Sequence, residues 1–267
     1  MQQDASWRKR ATQLLNGDKG VMGLPLVMTT LLVLLPSIHS WAQSRFVEEL
    51  RTFSTRYHED PSRLDTIRDG LERAVKINRH VEDLVALAQV YFIWAEVRAT
   101  SDEQKLAAYN RGREAANQAR NLDSSNPEAH FWYGANTARW GQTKGVVRSL
   151  FLLPTVQEAI QRILDLDPNF NLVYALAGNV FYEVPGLLGG DLDKAEAMFR
   201  KGLELDPQFT VMRVGLAKTL IKKGQIAEAR RELEAVLNEK EPRNLADWTL
   251  KDSKEAHILL QSIQRRS

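Results

Sequence analysis

Residues 210–237 read TVMRVGLAKTLIKKGQIAEARRELEAVL, and the spacing of their apolar groups decides the fold. Leu216-Ala217 and Leu220 share one side of a first helix, and Ala229, Leu233 and Val236 share one side of a second, as the 3.6-residue period requires. The small Ala217 and Ala229 let two helices approach closely. Gly224, between Lys223 and Gln225, ends the first helix: glycine accepts the left-handed backbone of a helix terminus, and the preceding cations suit the negative end of the helix dipole. The segment is therefore a helical hairpin.

The same pattern recurs upstream. Asn121-Leu122-Asp123, Asp165-Leu166-Asp167-Pro168 and Glu204-Leu205-Asp206-Pro207 each close an apolar-periodic run, with Asp-to-Asp spacings of 44 and 39 residues. Glu241-Pro242 follows another 35 residues after Pro207. These spacings match a unit of about 34 residues with insertions, the tetratricopeptide (TPR) period. Residues 210–237 resemble the TPR consensus, as do Tyr174, Gly178, Phe181, Ala195 and Phe199 in the preceding copy and Gly134, Val156, Ile160 and Ile163 before it. Leu87-Ala88, Tyr91, Gly112 and Ala116 fit a longer pair, and Leu64, Ile67, Leu71 and Val75 mark a further helix. No stretch after residue 45 alternates with period two. The expected fold is all-α, a TPR-like right-handed superhelical solenoid of antiparallel helix pairs. Residues 43–79 form an N-terminal helical segment, 80–241 the repeats with insertions at 141–153 and 185–190, and 242–267 a capping helix with Leu245, Trp248, Leu250, Ile258, Leu259 and Ile263 on one side.

The insertions differ in chemistry. Gly141 to Leu153 carries Val146, Val147, Leu150, Phe151, Leu152 and Leu153, too many apolar groups for a solvated loop. It forms either an extra helical turn packed back on the array or a lip over the groove. The run Pro185-Gly186-Leu187-Leu188-Gly189-Gly190 reads as a tight connection, since neither a parallel strand nor the Lys-Ser of a phosphate loop accompanies it.

Arg139-Trp140-Gly141 with the Lys144-Gly145 pair, then Val184-Pro185-Gly186 through Gly189-Gly190-Asp191 to Ala195 and Phe199, resemble the T component of TRAP-type transporters (the TatT family) over roughly residues 80 to 262. That resemblance implies an accessory subunit that docks the transporter's periplasmic solute-binding subunit and holds a small hydrophobic ligand. The inserted units are also similar to those of eukaryotic microtubule-associated TPR proteins.

The first 20 residues carry Arg8, Lys9, Arg10 and Lys19, whereas Gly20 to Ser44 has no formal charge. Val21 to Leu35 is 15 residues long, a signal-peptide length, while a span of roughly 30 Å of hydrocarbon needs about 20 residues. Ser40 and Ala42 suit a cleavage site that gives a start at Gln43. The competing reading is an uncleaved anchor over Val21 to Ala42. Residues 1–42 are thus a signal peptide or N-terminal membrane anchor, and both readings place the remainder in a bacterial periplasm, touching membrane only through the N-terminal segment.

Composition narrows the chemistry further. Thirty-six Lys and Arg against 34 Asp and Glu leave a net charge of +2, too little for a nucleic-acid partner. With zero cysteines there are no thiolate nucleophiles, Cys-ligated metals or lipid-bearing cysteine. No two of the five histidines stand three or four apart, so the usual zinc spacing is missing; His130, beside Phe131 and Trp132, reads as a packed imidazole. No catalytic signature occurs, and the expectation is a non-enzyme without cofactors.

A solenoid of hairpins presents a concave face lined by the first helix of each pair. Mapping those helices selects Gln89, Arg139, Asn179, Tyr182, Glu183, Lys218 and Lys222, together with Phe92 and Phe131. Amides to hold a backbone, aromatics for area and single charges to meet termini suit a protein or peptide partner. The alternative is a carrier that encloses a small hydrophobic ligand between repeats and insertions, with Trp94, Trp132 and Trp140 near it.

Overall fold

The computed structural model describes residues 43–265, all within one compact unit, Trp41–Ser267. The expected signal or anchor segment lies outside the described residues. Among these residues every regular element is helical. Helices α1 (Arg45–Phe53) and α2 (Arg63–Ile77) lead into four hairpins. These are α3 (Val81–Val97) with α4 (Asp102–Leu122), α5 (Pro127–Lys144) with α6 (Val146–Leu166), α7 (Leu172–Glu183) with α8 (Leu192–Leu205), and α9 (Thr210–Lys222) with α10 (Ile226–Asn238). The first helices pack in series, α3 on α5, α5 on α7 and α7 on α9. The molecule is an all-α helical-repeat solenoid.

The recurring aspartates have one structural job. Asp123, Asp167 and Asp206 each follow the last residue of a second helix, and each carboxylate accepts the backbone N–H two residues on, from Ser125 at 2.9 Å, Asn169 at 2.9 Å and Gln208 at 3.0 Å. Such Asx turns fold the chain back without strain. Asn126 then caps α5 through Ala129 N–H, with Pro127 in the first turn, and Asp191 caps α8 through the N–H groups of Asp193 and Lys194. Gly224 adopts φ +77°, as the helix end demands.

Packing between hairpins uses large residues set against small ones. Phe199, 1% exposed, lies where a Cβ on Gly178 or Gly215 would stand only 2.7 or 2.5 Å from its ring. One aromatic side chain thus joins α7, α8 and α9. The apolar core runs from Val47 through Phe199 to Ala246, and a second cluster of Val214, Ala217, Leu233 and Val236 is sealed by Ala256 and Ile263.

The first insertion lengthens the hairpin. Residues 141–144 finish α5, Gly145 turns with φ +105°, and α6 starts at Val146 and continues through Pro154. Leu150, Leu152 and Leu153 face the concave side, Val146 borders the cavity while mostly exposed, and Val147 and Phe151 are mostly exposed outside it. The second insertion is a 3-10 turn, Gly186–Leu188, that Gly189 closes with φ +101°; Asp191 N–H then bonds the Phe181 carbonyl at 2.9 Å.

The C-terminal segment is more irregular than one capping helix. A short turn α11 (Leu245–Asp247) passes into a π-helical stretch (Trp248–Asp252) and then α12 (Ser253–Gln264). Trp248 and Leu259 pack against the second cluster, but Ile258 is 65% exposed and off the buried side. The π turn has a reason: it lets Trp248 Nε1 donate to the Val236 carbonyl at 2.8 Å while Lys251 and Asp252 line the concave cavity, a role in which such wide turns recur.

Candidate functional site

The first helices of the four hairpins line a cavity of about 710 Å³. Its middle is apolar. Trp132 packs between Phe92 and Phe131, with ring centroids 5.6 and 4.9 Å away, and Leu172, Leu176 and Val180 of α7 and Val211 and Val214 of α9 continue the wall. Leu150, Leu152 and Leu153 close one side.

Charged groups gather where the C-terminal segment crosses this hollow. Ala246 N–H bonds the Thr55 carbonyl at 2.8 Å, and the Tyr57 hydroxyl donates to Asp247 at 2.5 Å. Lys251 reaches Glu96 of α3 at 3.3 Å and Asp247 at 3.5 Å. The C-terminal segment is therefore tied to the turn after α1 and to α3 across the concave side. Glu96 also meets Arg139 at 3.4 Å and accepts from the Tyr109 hydroxyl. Burial alone would raise its carboxyl pKa, but the two cations and its hydrogen bonds outweigh that and hold it below the ordinary value. Asp252 is the opposite case. Burial, with Asp247 and Glu255 nearby, pushes its pKa up to about 6 although the Thr210 hydroxyl donates to it at 2.6 Å. Burial, then the Asp247 carboxylate, raises the Tyr57 hydroxyl far above its usual pKa, keeping it a donor.

The family described as Regulator of microtubule dynamics protein 1-3 matches residues 48–188, more than half of the chain. The chain belongs to that family. In this regulator-family chain a tetratricopeptide repeat match covers residues 187–248, so the two matches together run from α1 to the C-terminal turn. Among solved structures, the thermophilic TPR protein TTC0263 of Thermus thermophilus is similar, with TM-score 0.58 and 20% identity over 79% of this chain and 98% of that one. MamA 41-end from Desulfovibrio magneticus RS-1 gives TM-score 0.47 and 16% identity over 76% and 99%. The Thermus likeness shows the shared fold. No curated protein matches.

The groove residues selected from sequence divide into two groups in this regulator-family chain. Gln89, Arg139, Asn179, Glu183 and Lys218 line the cavity, as do Phe92 and Phe131. Arg139 pairs with Glu96, and Lys218 pairs with Glu255 at 3.1 Å. Tyr182 and Lys222 stand outside it: the Lys222 ammonium lies 3.5 Å from the Tyr182 ring centroid and donates to the Tyr182 carbonyl at 3.2 Å. The His130 ring is buried and bonds the Ser124 carbonyl at 3.0 Å, and burial lowers its pKa.

Sequence reasoning missed Tyr57, Glu96, Asp247, Lys251 and Asp252. Tyr57 and Asp247 are 190 residues apart and Glu96 and Lys251 are 155 apart, and no periodic pattern signals contact between the two ends of an array. Among the described residues, no three His, Cys, Asp or Glu side chains gather as a metal site would require, and no helix is long and apolar enough to cross a membrane.

Proposed function

We propose that this member of the regulator family is an exported, non-catalytic TPR protein whose working site is the apolar cavity, and that the cavity carries a small hydrophobic ligand or a lipid chain. The observation behind this reading is the lining: aromatics and leucines in the middle, with charges at the C-terminal crossing. A hollow of about 710 Å³ lies within the range of small-molecule sites, whereas an extended peptide needs an open trough, and the C-terminal segment spans this one. Native mass spectrometry of the gently purified protein tests the reading. A co-purifying adduct of lipid size is expected, lost in Leu153→Arg; a bare mass that takes up no long-chain fatty acid would reject the proposal.

A protein-docking scaffold is the second reading, favoured by the family match and by the TPR fold, whose members bind protein partners. The family's description concerns microtubule dynamics, and a cytoskeletal partner enters here on that ground. The sequence resemblance to TatT proteins offers another partner, the solute-binding subunit of a TRAP-type transporter. Crosslinking the tagged protein in its native cells and identifying what is held in fixed stoichiometry separates the two. Export rests on the basic and then uncharged N-terminal sequence, and determination of the mature N-terminus tests it, with Gln43 expected for cleavage.

A further inference from the structure

We propose that the edge of the array built from the two insertions is a membrane-docking surface that settles on anionic lipid headgroups. Val146, Val147 and Phe151 at the start of α6 are 74%, 70% and 74% exposed, and Leu187 on the 3-10 turn is fully exposed. The two segments belong to successive hairpins and border one cavity, α6 through Leu150 and the second insertion through Pro185. Each thus has apolar groups facing inward and apolar groups facing water. Leu188 on the same turn is half exposed, and the other large exposed apolar residues among those described, Ile77, Leu122 and Ile258, stand on separate elements.

Charge selects the occupant. From Gln142 to Gln157 the chain carries two cations, Lys144 and Arg148, and neither Asp nor Glu, whereas residues 185–190 carry no charge and lie between Glu183 and Asp191. The Lys144 ammonium and the Arg148 guanidinium, both on exposed residues, lie over the Trp140 ring, 5.8 and 5.9 Å from its centroid, which gathers the two charges at one exposed place. Exposed large apolar side chains on α6 with Lys144 and Arg148 beside them match the acyl boundary and headgroup layer of an anionic bilayer. Val146 also borders the cavity, but Val147, Phe151 and Leu187 lie outside its lining, so the proposal does not depend on what the cavity holds.

The absence of cysteine makes the test direct. Val147→Cys and Leu187→Cys in the full chain, each labelled with an environment-sensitive nitrobenzoxadiazole, report on the edge, and Glu234→Cys on α10 reports on a remote surface. On vesicles of phosphatidylcholine with phosphatidylglycerol, both edge probes are expected to shift to shorter wavelength, the remote probe to stay unchanged, and Lys144→Gln with Arg148→Gln to remove the edge shift. An unshifted edge probe, an equal shift at residue 234, or an equal shift on phosphatidylcholine alone would overturn the proposal. So would a shift already complete without vesicles, which would assign the edge to a second copy if it depends on concentration and to the chain's own N-terminal segment if it does not.

Discussion

Phe199 carries more of the array than any neighbour-by-neighbour description suggests, because its ring fills the space left by the missing side chains of Gly178 and Gly215. Phe199→Ala is expected to cost about 3–5 kcal/mol through the cavity it leaves between three helices. Gly215→Ala should cost about 1–3 kcal/mol by overpacking, offset by roughly 1 kcal/mol of helix propensity; urea midpoints check both. Asp252 gives a pH signature. Its folded pKa of about 6 lies above the ordinary 3.8, so the folded state holds its proton more tightly. That contribution is fully present below about pH 4 and is lost as the pH rises toward 6 and beyond. Asp252→Asn keeps an acceptor for Thr210 and should be more stable than the parent at pH 7 by up to about 3 kcal/mol, with the advantage vanishing near pH 4. Thermal melts across that range would show it.

At the scale of elements, the hairpins are legible in the sequence because each repeats a local rule. Asp123, Asp167 and Asp206 mark the ends of second helices through the same Asx turn, and Gly224 and Asn126-Pro127 punctuate as their backbone chemistry dictates. The cavity residues on α3, α5, α7 and α9 follow from that register, which is why Gln89, Arg139, Asn179, Glu183 and Lys218 fall together. Tyr182 does not, since one step along α7 turns its ring toward Lys222 and away from the hollow. The C-terminal element escapes prediction because a π turn shifts the helical phase: it exposes Ile258 and brings Lys251 and Asp252 inward, and no 3.6-residue count anticipates it. Tyr57→Phe should remove one charge-assisted hydrogen bond, at a cost of about 1–3 kcal/mol, and should speed amide hydrogen exchange over residues 244–252 more than over α5 and α6.

At the scale of the molecule, repeat arrays draw stability from contacts between neighbours, and their terminal units need a covering surface. Here α12 supplies it, with Ala256 and Ile263 closing the cluster of Val214, Ala217, Leu233 and Val236. Deleting residues 242–267 is expected to expose that cluster and the cavity together, increasing dye binding and light scattering while far-ultraviolet dichroism stays helical in the earlier hairpins. Retention of a clear monomer with an unchanged melt would contradict this. The Thr55, Tyr57 and Glu96 contacts to residues 246, 247 and 251 have a mechanical corollary. A coil strapped in this way from its last turn to its first helices resists lengthening and unwinding.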